Sequence, residues 1–217
     1  MSLTWLAREA AVMGHRDIVN DLIDRGINGV IIYTMLAIYA ARGGYRDIVD
    51  DMINLGVNDF NVIAYEAARG GYRDIIDDMI SHGARNYNLL ASRAAKGGYR
   101  DIVDDMLRHG ADNYDLIARG AARGGYRGIV DDMISRGATD YNWIAGSAAR
   151  GGHQDIVMDM IGLGATDYNW IAGSAASKGH TALAAWIKDT YRHSRLSQQT
   201  SGALTGVSSI SEWHSTG

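Results

Sequence analysis

Apolar residues recur along this chain with the spacing of one helix face, in paired short segments separated by glycines. The segment 153–164 has four apolar residues at i, i+1, i+4 and i+5, namely Ile156, Val157, Met160 and Ile161. The segment before it, which ends near residue 150, is predicted to be a first helix capped by Asp140 or Asn142. The two glycines that follow end it, because glycine adopts the left-handed conformation. No useful length alternates with period two, so no sheet is predicted.

This helix pair repeats through the chain. Its marker is Gly-Tyr-Arg-Asp-Ile-Val or a close variant, whose glycine recurs at a spacing of 30 and then five times at 27: Gly14, Gly44, Gly71, Gly98, Gly125, Gly152 and Gly179. Three extra residues near 29–33 explain the longer spacing. Residues 137–149 recur unchanged at 164–176, as a recent internal duplication would leave them. We predict seven repeats that stack, because one pair alone cannot bury its apolar face.

The repeat resembles the ankyrin family. Ala148-Ala149-Arg150-Gly151-Gly152-His153, then Asp155-Ile156-Val157, Met160-Ile161 and Gly164-Ala165, are similar to the family's A-A-x-x-G-H, E-V-V, L-L and G-A-D. The similarity covers roughly residues 3–191. The family's T-P-L-H start is absent, and six residues of its β-hairpin are missing. The resemblance implies a protein-binding role. Short glycine-rich repeats of this kind also resemble those of giant DNA viruses of amoebae, which implies a location in the host cytoplasm or the virion.

The predicted fold is therefore all-α: an α-solenoid of seven stacked, ankyrin-like helix–turn–helix repeats that lack β-hairpin fingers. Columns of alanine, isoleucine and methionine, such as Ala148, Ile156 and Met160, should form its core. The solenoid is expected to span 1–192, with repeat seven as a terminal cap. Residues 193–217 are rich in Ser, Thr and Gly and are expected to be a flexible tail. A short docking segment around Trp213 is the alternative for that tail.

Composition narrows the classes of function. The formal net charge is -4, so no basic excess indicates nucleic acid. The chain lacks cysteine, and no apolar run approaches the roughly 20 residues that cross a bilayer. We expect an intracellular protein without membrane, metal or cofactor. No Ser, His and acid recur as a triad, so an enzyme is not expected.

Three recurring motifs are explained better by a structural role than by a catalytic or ligand-binding role. Arg-Gly-Gly, as at 42–44, occurs once per repeat at a helix end, where it forms a turn. Paired aspartates, such as Asp50 and Asp51, point about 100° apart on a helix and fit a solvated face with i, i+4 arginine pairs. An acidic surface for a basic partner is the alternative. His153 and two other histidines occupy a column held elsewhere by tyrosine, which argues against a metal or catalytic role.

The predicted binding surface is the face of the first helices opposite their buried alanines. On a helical wheel, Trp143, Gly146 and Ser147 fall on that face. One of its columns stays apolar, and the other two vary between repeats. The partner-binding residues predicted are Met35, Ile38, Tyr39, Val62, Tyr65, Glu66, Leu89, Arg93, Arg119, Trp143 and Trp170. Neutral, solvated positions would vary in the same way, so that alternative stays open.

These patterns predict a protein–protein interaction module or scaffold. The alternative is a structural component that self-associates, for example in a virus particle. The partner is expected to be a protein, and it could be another copy of this chain.

Overall fold

The computed structural model describes residues 2–192, and the predicted tail, 193–217, lies outside them. Two compact units divide the chain, Met1–Asp140 and Tyr141–Gly217. The described residues form helices and turns and contain no strand. The all-α repeat fold without β-hairpin fingers is therefore confirmed for this part of the chain.

Unit one contains five helix pairs. They are α1 (Leu3–Met13) with α2 (Arg16–Asp24), α3 (Val30–Gly43) with α4 (Arg46–Asn54), α5 (Phe60–Gly70) with α6 (Arg73–Ser81), α7 (Tyr87–Gly97) with α8 (Arg100–Arg108), and α9 (Tyr114–Gly124) with α10 (Arg127–Ser135). Unit two pairs α11 (Tyr141–Gly151) with α12 (Gln154–Gly162), and α13 (Tyr168–Ala176) with α14 (181–192).

Each unit is built in two layers. The first helices of successive repeats pack side by side, and each second helix packs on the first helix of its own repeat. The predicted alanine, isoleucine and methionine columns are buried, for example Ala67, Ile75 and Met79, each at 0% exposure. Small alanines allow the first helices to approach closely, and the branched residues fill the space between the layers.

Local sequence fixes both ends of the first helices. Asp59, Asn86, Asn113 and Asp167 are N-caps whose side chains accept from the backbone amide three residues on. At the other end, Gly44 has φ +81°, and the amide of Tyr45 donates to the carbonyl of Ala40 at 3.0 Å. This is the Schellman arrangement that ends a helix at a left-handed glycine.

The three extra residues of repeat two lengthen its first helix. α3 has 14 residues where the first helices of the other repeats of unit one have 11. The added turn is apolar but not buried, since Val30 is 51% and Ile31 is 83% exposed. The insertion therefore adds apolar surface to this repeat rather than core.

A ring in each repeat packs against glycines of the repeat before it. The ring of Tyr72 lies against Gly44 of the preceding repeat and against Gly70 of its own. The same contact recurs at Tyr45, Tyr99 and Tyr126 in unit one, and His180 makes it against Gly152 in unit two. A side chain on either glycine would overlap the ring. The glycine pair is thus required by packing between repeats as well as by the turn.

A polar side chain on each of the first helices α5, α7, α9 and α11 binds the loop of the next repeat. Asn88 Oδ1 accepts from the amides of Asp112 and Asn113, both at 2.8 Å. Asn61 and Asp115 do the same in unit one. The suggestion that Asn142 caps α11 is wrong, because Asn142 accepts from Thr166 and Asp167 of the next repeat. These bonds fix the short loops that replace the missing hairpins.

The ring-to-glycine contact predicts different costs for two alanine substitutions in the same column. Gly71 and Gly179 have φ of +81° and +83°, so the backbone strain of an alanine is alike at both. A side chain at Gly71 would overlap the Tyr99 ring, whereas at Gly179 it would meet no atom within 4 Å. We expect Gly179→Ala to cost about 1 kcal/mol of unfolding free energy. Gly71→Ala should cost roughly 1–3 kcal/mol more. Urea unfolding measures both, and equal losses would contradict the packing role of the ring.

Candidate interaction surfaces

The first-helix face of unit one carries a row of apolar side chains. Met35, Val62, Leu89 and Leu116 occupy equivalent positions on neighbouring helices α3, α5, α7 and α9, and all four are partly exposed. The other predicted binding residues of this unit, Ile38, Tyr39, Tyr65, Glu66, Arg93 and Arg119, are also partly exposed. The structure therefore brings the predicted residues of unit one together on one face.

The equivalent face of unit two is formed by two tryptophans. Trp143 is 47% exposed, and its ring packs on that of Trp170 with centroids 4.7 Å apart. The Trp170 ring fills the space that a side chain at Gly146 would need. An indole on this face thus packs over the backbone of the neighbouring first helix.

Part of the helical-wheel assignment is wrong. Gly146, Ser92 and Ser174 were placed on the open face, but all three are buried. Ser92 Oγ donates to the Leu116 carbonyl at 2.9 Å, which joins α7 to α9. The first helices pack so closely that some small residues of both variable columns face the neighbouring helix. Variation there follows the space between helices.

A chain of alternating contacts follows the face from α1 to α5. Arg8 and Arg42 lie over the ring of Tyr39, at 5.0 and 5.6 Å from its centroid. Arg42 Nε also donates to Glu66 at 2.8 Å, and Arg69 lies 4.0 Å from the same carboxylate. Cation–π contacts and ion pairs therefore hold Tyr39 and Glu66 in place. Tyr39 and Glu66, both predicted to bind a partner, therefore also link adjacent repeats.

Cations gather farther along the same face. Burial lowers the pKa of Lys96, and the neighbouring charges of Arg123, Arg69 and Arg93 lower it further. We call these four residues, on α5, α7 and α9, the cationic cluster. Part of it is visible in the sequence as a base in the last turn of α5, α7 and α9, which the turn explanation of the Arg-Gly-Gly motif did not assign to binding. Arg93 comes from a different column, so only the fold brings the four together.

The paired aspartates of the second helices are engaged between repeats. Arg16 donates to both carboxylate oxygens of Asp51 at 2.6 Å, and Arg100 donates to Asp132 of the next repeat at 2.9 Å. The predicted i, i+4 pairs also occur, as at Arg100 with Asp104 at 3.1 Å. The second aspartate of each pair thus joins its repeat to the one before.

These contacts change the acidity of the carboxyls. The hydrogen bond from Arg16 lowers the pKa of Asp51 below its ordinary value, against an opposing effect of burial. Burial would raise the pKa of Asp105, but the hydrogen bond from Arg108 and the charge of Arg73 lower it overall. Asp50 differs, because burial raises its pKa and the nearby carboxylates of Asp78 and Asp51 add to that effect. The acidic surface is therefore neutralised in part by the protein's own arginines.

The first repeat exposes side chains from core columns. Leu6 is 38% and Ile18 is 43% exposed, although their counterparts Leu36 and Ile48 are fully buried. Met13, which is 61% exposed, occupies a column that holds glycine in the next four repeats. We call Leu6, Met13 and Ile18 the N-terminal end face.

Met13 restricts what can cover the N-terminal end face. At the equivalent Gly43, Gly70 and Gly97, a Cβ would lie 3.0–3.2 Å from a backbone carbonyl of the preceding repeat. A repeat packed on α1 in that geometry would lie in tight contact with the methionine Cβ.

A shallow depression and the absence of a metal cluster characterise the described surface. One depression of about 350 Å³ follows α3 and is lined by Ile31, Thr34, Met35, Ile38, Tyr39 and Arg42. No cluster of three or more His, Asp or Glu residues in 2–192 could hold a metal ion. Within the same range, no helix has the length and apolar character to cross a membrane.

Comparison with known proteins leaves the family open. No protein-family model and no curated protein matches the chain. Among solved structures, the chain is similar to the human ASB11 ankyrin repeat domain, with 20% sequence identity and a TM-score of 0.49. That match covers 74% of this chain and 84% of the other. The class of helical repeat protein is therefore defined by the chain's own stacked helix pairs.

The arginine contact between repeats predicts a shift in acidity. Arg16→Gln removes the hydrogen bond that lowers the pKa of Asp51, so that pKa should rise toward its ordinary value. A carboxyl with a lowered pKa stabilises the fold above its ordinary pKa, and this contribution is lost as pH falls through the lowered value. The stability difference between native protein and variant should therefore be full at neutral pH and vanish in acid. Carboxyl-carbon NMR titration and urea unfolding measure the two effects.

Arg25→Gln is the matched control. Arg25 pairs with Asp21 of its own helix at 2.8 Å, so its loss removes the same charge without breaking a contact between repeats. An unchanged Asp51 pKa in Arg16→Gln would contradict the assignment.

Proposed function

We propose that this protein is a non-enzymatic interaction scaffold of ankyrin-like repeats that binds a protein partner on its first-helix face. The observation that carries the proposal is the row Met35, Val62, Leu89 and Leu116. These apolar side chains stay partly exposed on adjacent helices, where a continuous apolar surface favours association. Tyr65 and Arg93 flank the row with residue types that interfaces favour.

The first-helix face is suited to binding because the rest of each repeat is committed to stacking. The alanines and isoleucines of the repeat are buried in the core. An aromatic ring packs against the glycine pair, and the second aspartate of each pair binds an arginine of the preceding repeat. The proposed partner-binding residues are those of the first-helix faces of both units, with Trp143 and Trp170 in unit two. The resemblance to ankyrin repeats supports the same role.

The experiment starts from a photocrosslinker placed at Leu89, which should label the partner. Binding of the purified partner is then measured for the double variant Tyr65→Ala/Trp143→Ala. We expect a loss of at least about tenfold in affinity, because partly exposed aromatic side chains dominate such interfaces.

The control is Met158→Ala, which removes an exposed apolar side chain from the second helix α12 (52% exposed) and should leave binding unchanged. If the double variant folds and binds as the native protein does, the interface lies elsewhere, with the paired aspartates of the second helices the next candidate.

The second candidate function is that of a self-associating structural component, and the N-terminal end face favours it. Leu6, Met13 and Ile18 are exposed together, which leaves an apolar surface at this end of unit one. A second copy can cover such an apolar face symmetrically, because a two-fold contact pairs each surface with itself. A virus particle is the setting that the resemblance to giant-virus repeats suggests.

Self-association through this face predicts a mass change. The native 23.5 kDa chain should form dimers in sedimentation equilibrium, and Leu6→Gln/Ile18→Gln should shift it to monomer with its helical circular dichroism intact. Leu163→Gln, at a residue that is 48% exposed after α12, is the control and should remain dimeric. A native protein that stays monomeric at its highest soluble concentration would exclude this candidate.

A further inference from the structure

The first helices of unit one carry more base than acid. On α5, α7 and α9 there are five bases and two acids: Arg69, Arg93, Lys96, Arg119 and Arg123 against Glu66 and Asp115. The whole chain is acidic, with a formal net charge of -4. Positive charge is therefore concentrated on the side that faces away from the paired aspartates of the second helices.

Both acids of these helices already accept hydrogen bonds. Glu66 accepts from Arg42 of the preceding repeat at 2.8 Å, and it lies 4.0 Å from Arg69. Asp115, at the other end of α9, accepts from the amides of Thr139 and Asp140 at 2.8 Å. Asp115 is therefore directed away from the cationic cluster, whereas Glu66 is shared between Arg42 and the cluster member Arg69 and offsets only part of the positive charge beside Lys96.

Three members of the cluster have no acidic partner. In the described part of the chain, no carboxylate lies within 4.0 Å of Arg93, Lys96 or Arg123. The ends of α5, α7 and α9 lie against one another, since Gly97 approaches the Arg69 carbonyl and Gly124 approaches the Lys96 carbonyl. Burial and the neighbouring arginine charges together lower the pKa of Lys96. Like charges held together on adjacent helices repel, so this arrangement costs stability that a bound anion would restore.

We propose that the cationic cluster binds an acidic segment of a protein partner, with apolar side chains of that segment on the neighbouring row. This inference rests on the proposed function, in which the first-helix face is the binding surface. Leu89 lies one turn before Arg93 on α7, and Leu116 occupies the same position on α9, so charge and apolar surface lie side by side. An acidic amphipathic peptide matches both.

The dimensions suit a short peptide. Adjacent packed helices lie about 10 Å apart, so α5 to α9 spans roughly 20 Å. An extended chain covers that distance with about six residues. A nucleic acid fits less well, because it carries charge without apolar side chains, and the aspartates of the second helices limit the positive surface to this cluster.

The test measures fluorescence anisotropy with a labelled synthetic peptide, Ser-Glu-Leu-Glu-Glu-Leu-Glu-Ser. Native protein should bind it, and Arg93→Gln/Lys96→Gln should weaken binding roughly tenfold, because charge-assisted contacts are lost. Arg93→Lys keeps the charge and should retain most of the affinity. The control Arg108→Gln/Arg136→Gln removes the same charge from the second-helix side, where those arginines pair with Asp105 and Asp132, and should leave binding unchanged.

Two further probes identify the chemistry recognised. The same peptide with serine for leucine should bind more weakly, and a single-stranded RNA of equal charge should bind more weakly than the native peptide. Tighter RNA binding would overturn the proposal in favour of nucleic acid. Absence of peptide binding, or an equal loss in the Arg108/Arg136 control, would also overturn it.

Protein stability separates loss of binding from loss of folding. Neutralising two crowded cations should leave the melting temperature of Arg93→Gln/Lys96→Gln unchanged or raised, and a lower one would show that the cations stabilise the fold. If the crosslinked partner requires Tyr65 and Trp143 but binds equally well to Arg93→Gln/Lys96→Gln, the proposed function stands and the acidic-segment inference fails.

Discussion

The contact that the repeats depend on is the ring packed against a left-handed glycine of the preceding repeat. One glycine ends the first helix, and its missing side chain leaves the space that the next tyrosine fills. Helix termination and repeat stacking therefore share one residue. Because Tyr72 also lies against Gly70, the glycine beside its own turn, the repeats that carry this tyrosine need two glycines. This explains the high glycine content better than flexibility does, since the glycines of the motif stand in tight contacts.

A 27-residue repeat must also replace what a longer repeat obtains from its hairpin. Here a single side chain does so: Asn88 accepts two successive amides of the following loop, and Asn61 and Asp115 repeat the geometry. An amide oxygen and a carboxylate oxygen serve equally well, since only acceptance is required. The arginine of each second helix adds an ionic contact on the other layer. Stacking is thus secured at three levels: ring, loop and ion pair.

Features that depend on residues close together in the sequence could be predicted, whereas contacts between repeats could not. Helix faces, glycine ends and buried columns follow from local spacing, and they were correctly predicted at Ile75, Met79 and Gly44. Contacts between repeats were not predictable by the same rules. Asn142 is a residue type that often caps helices, yet its side chain accepts a hydrogen bond from the amide of a loop residue 24 positions away. Gly146 lies opposite the alanines on a wheel, yet Trp170 covers it. A wheel describes one helix and contains no information on how closely its neighbour approaches.

The two layers differ in how their charges are compensated, and stacking explains only one of them. In the layer of second helices, the second aspartate of each pair contacts an arginine from the repeat before, so these charges stabilise the stack and need no partner. In the layer of first helices, a base lies in the last turn of α3, α5, α7, α9 and α11, where it favours the helix dipole by a few tenths of a kcal/mol. One cation at the end of each helix is enough for this stabilisation of the helix dipole. Arg93 adds a second cation to α7 beside Lys96, although Ala or Gln would serve the helix as well and would avoid the repulsion. A cation that opposes its neighbours and has no carboxylate within 4.0 Å in the described repeats supports the proposed acidic ligand.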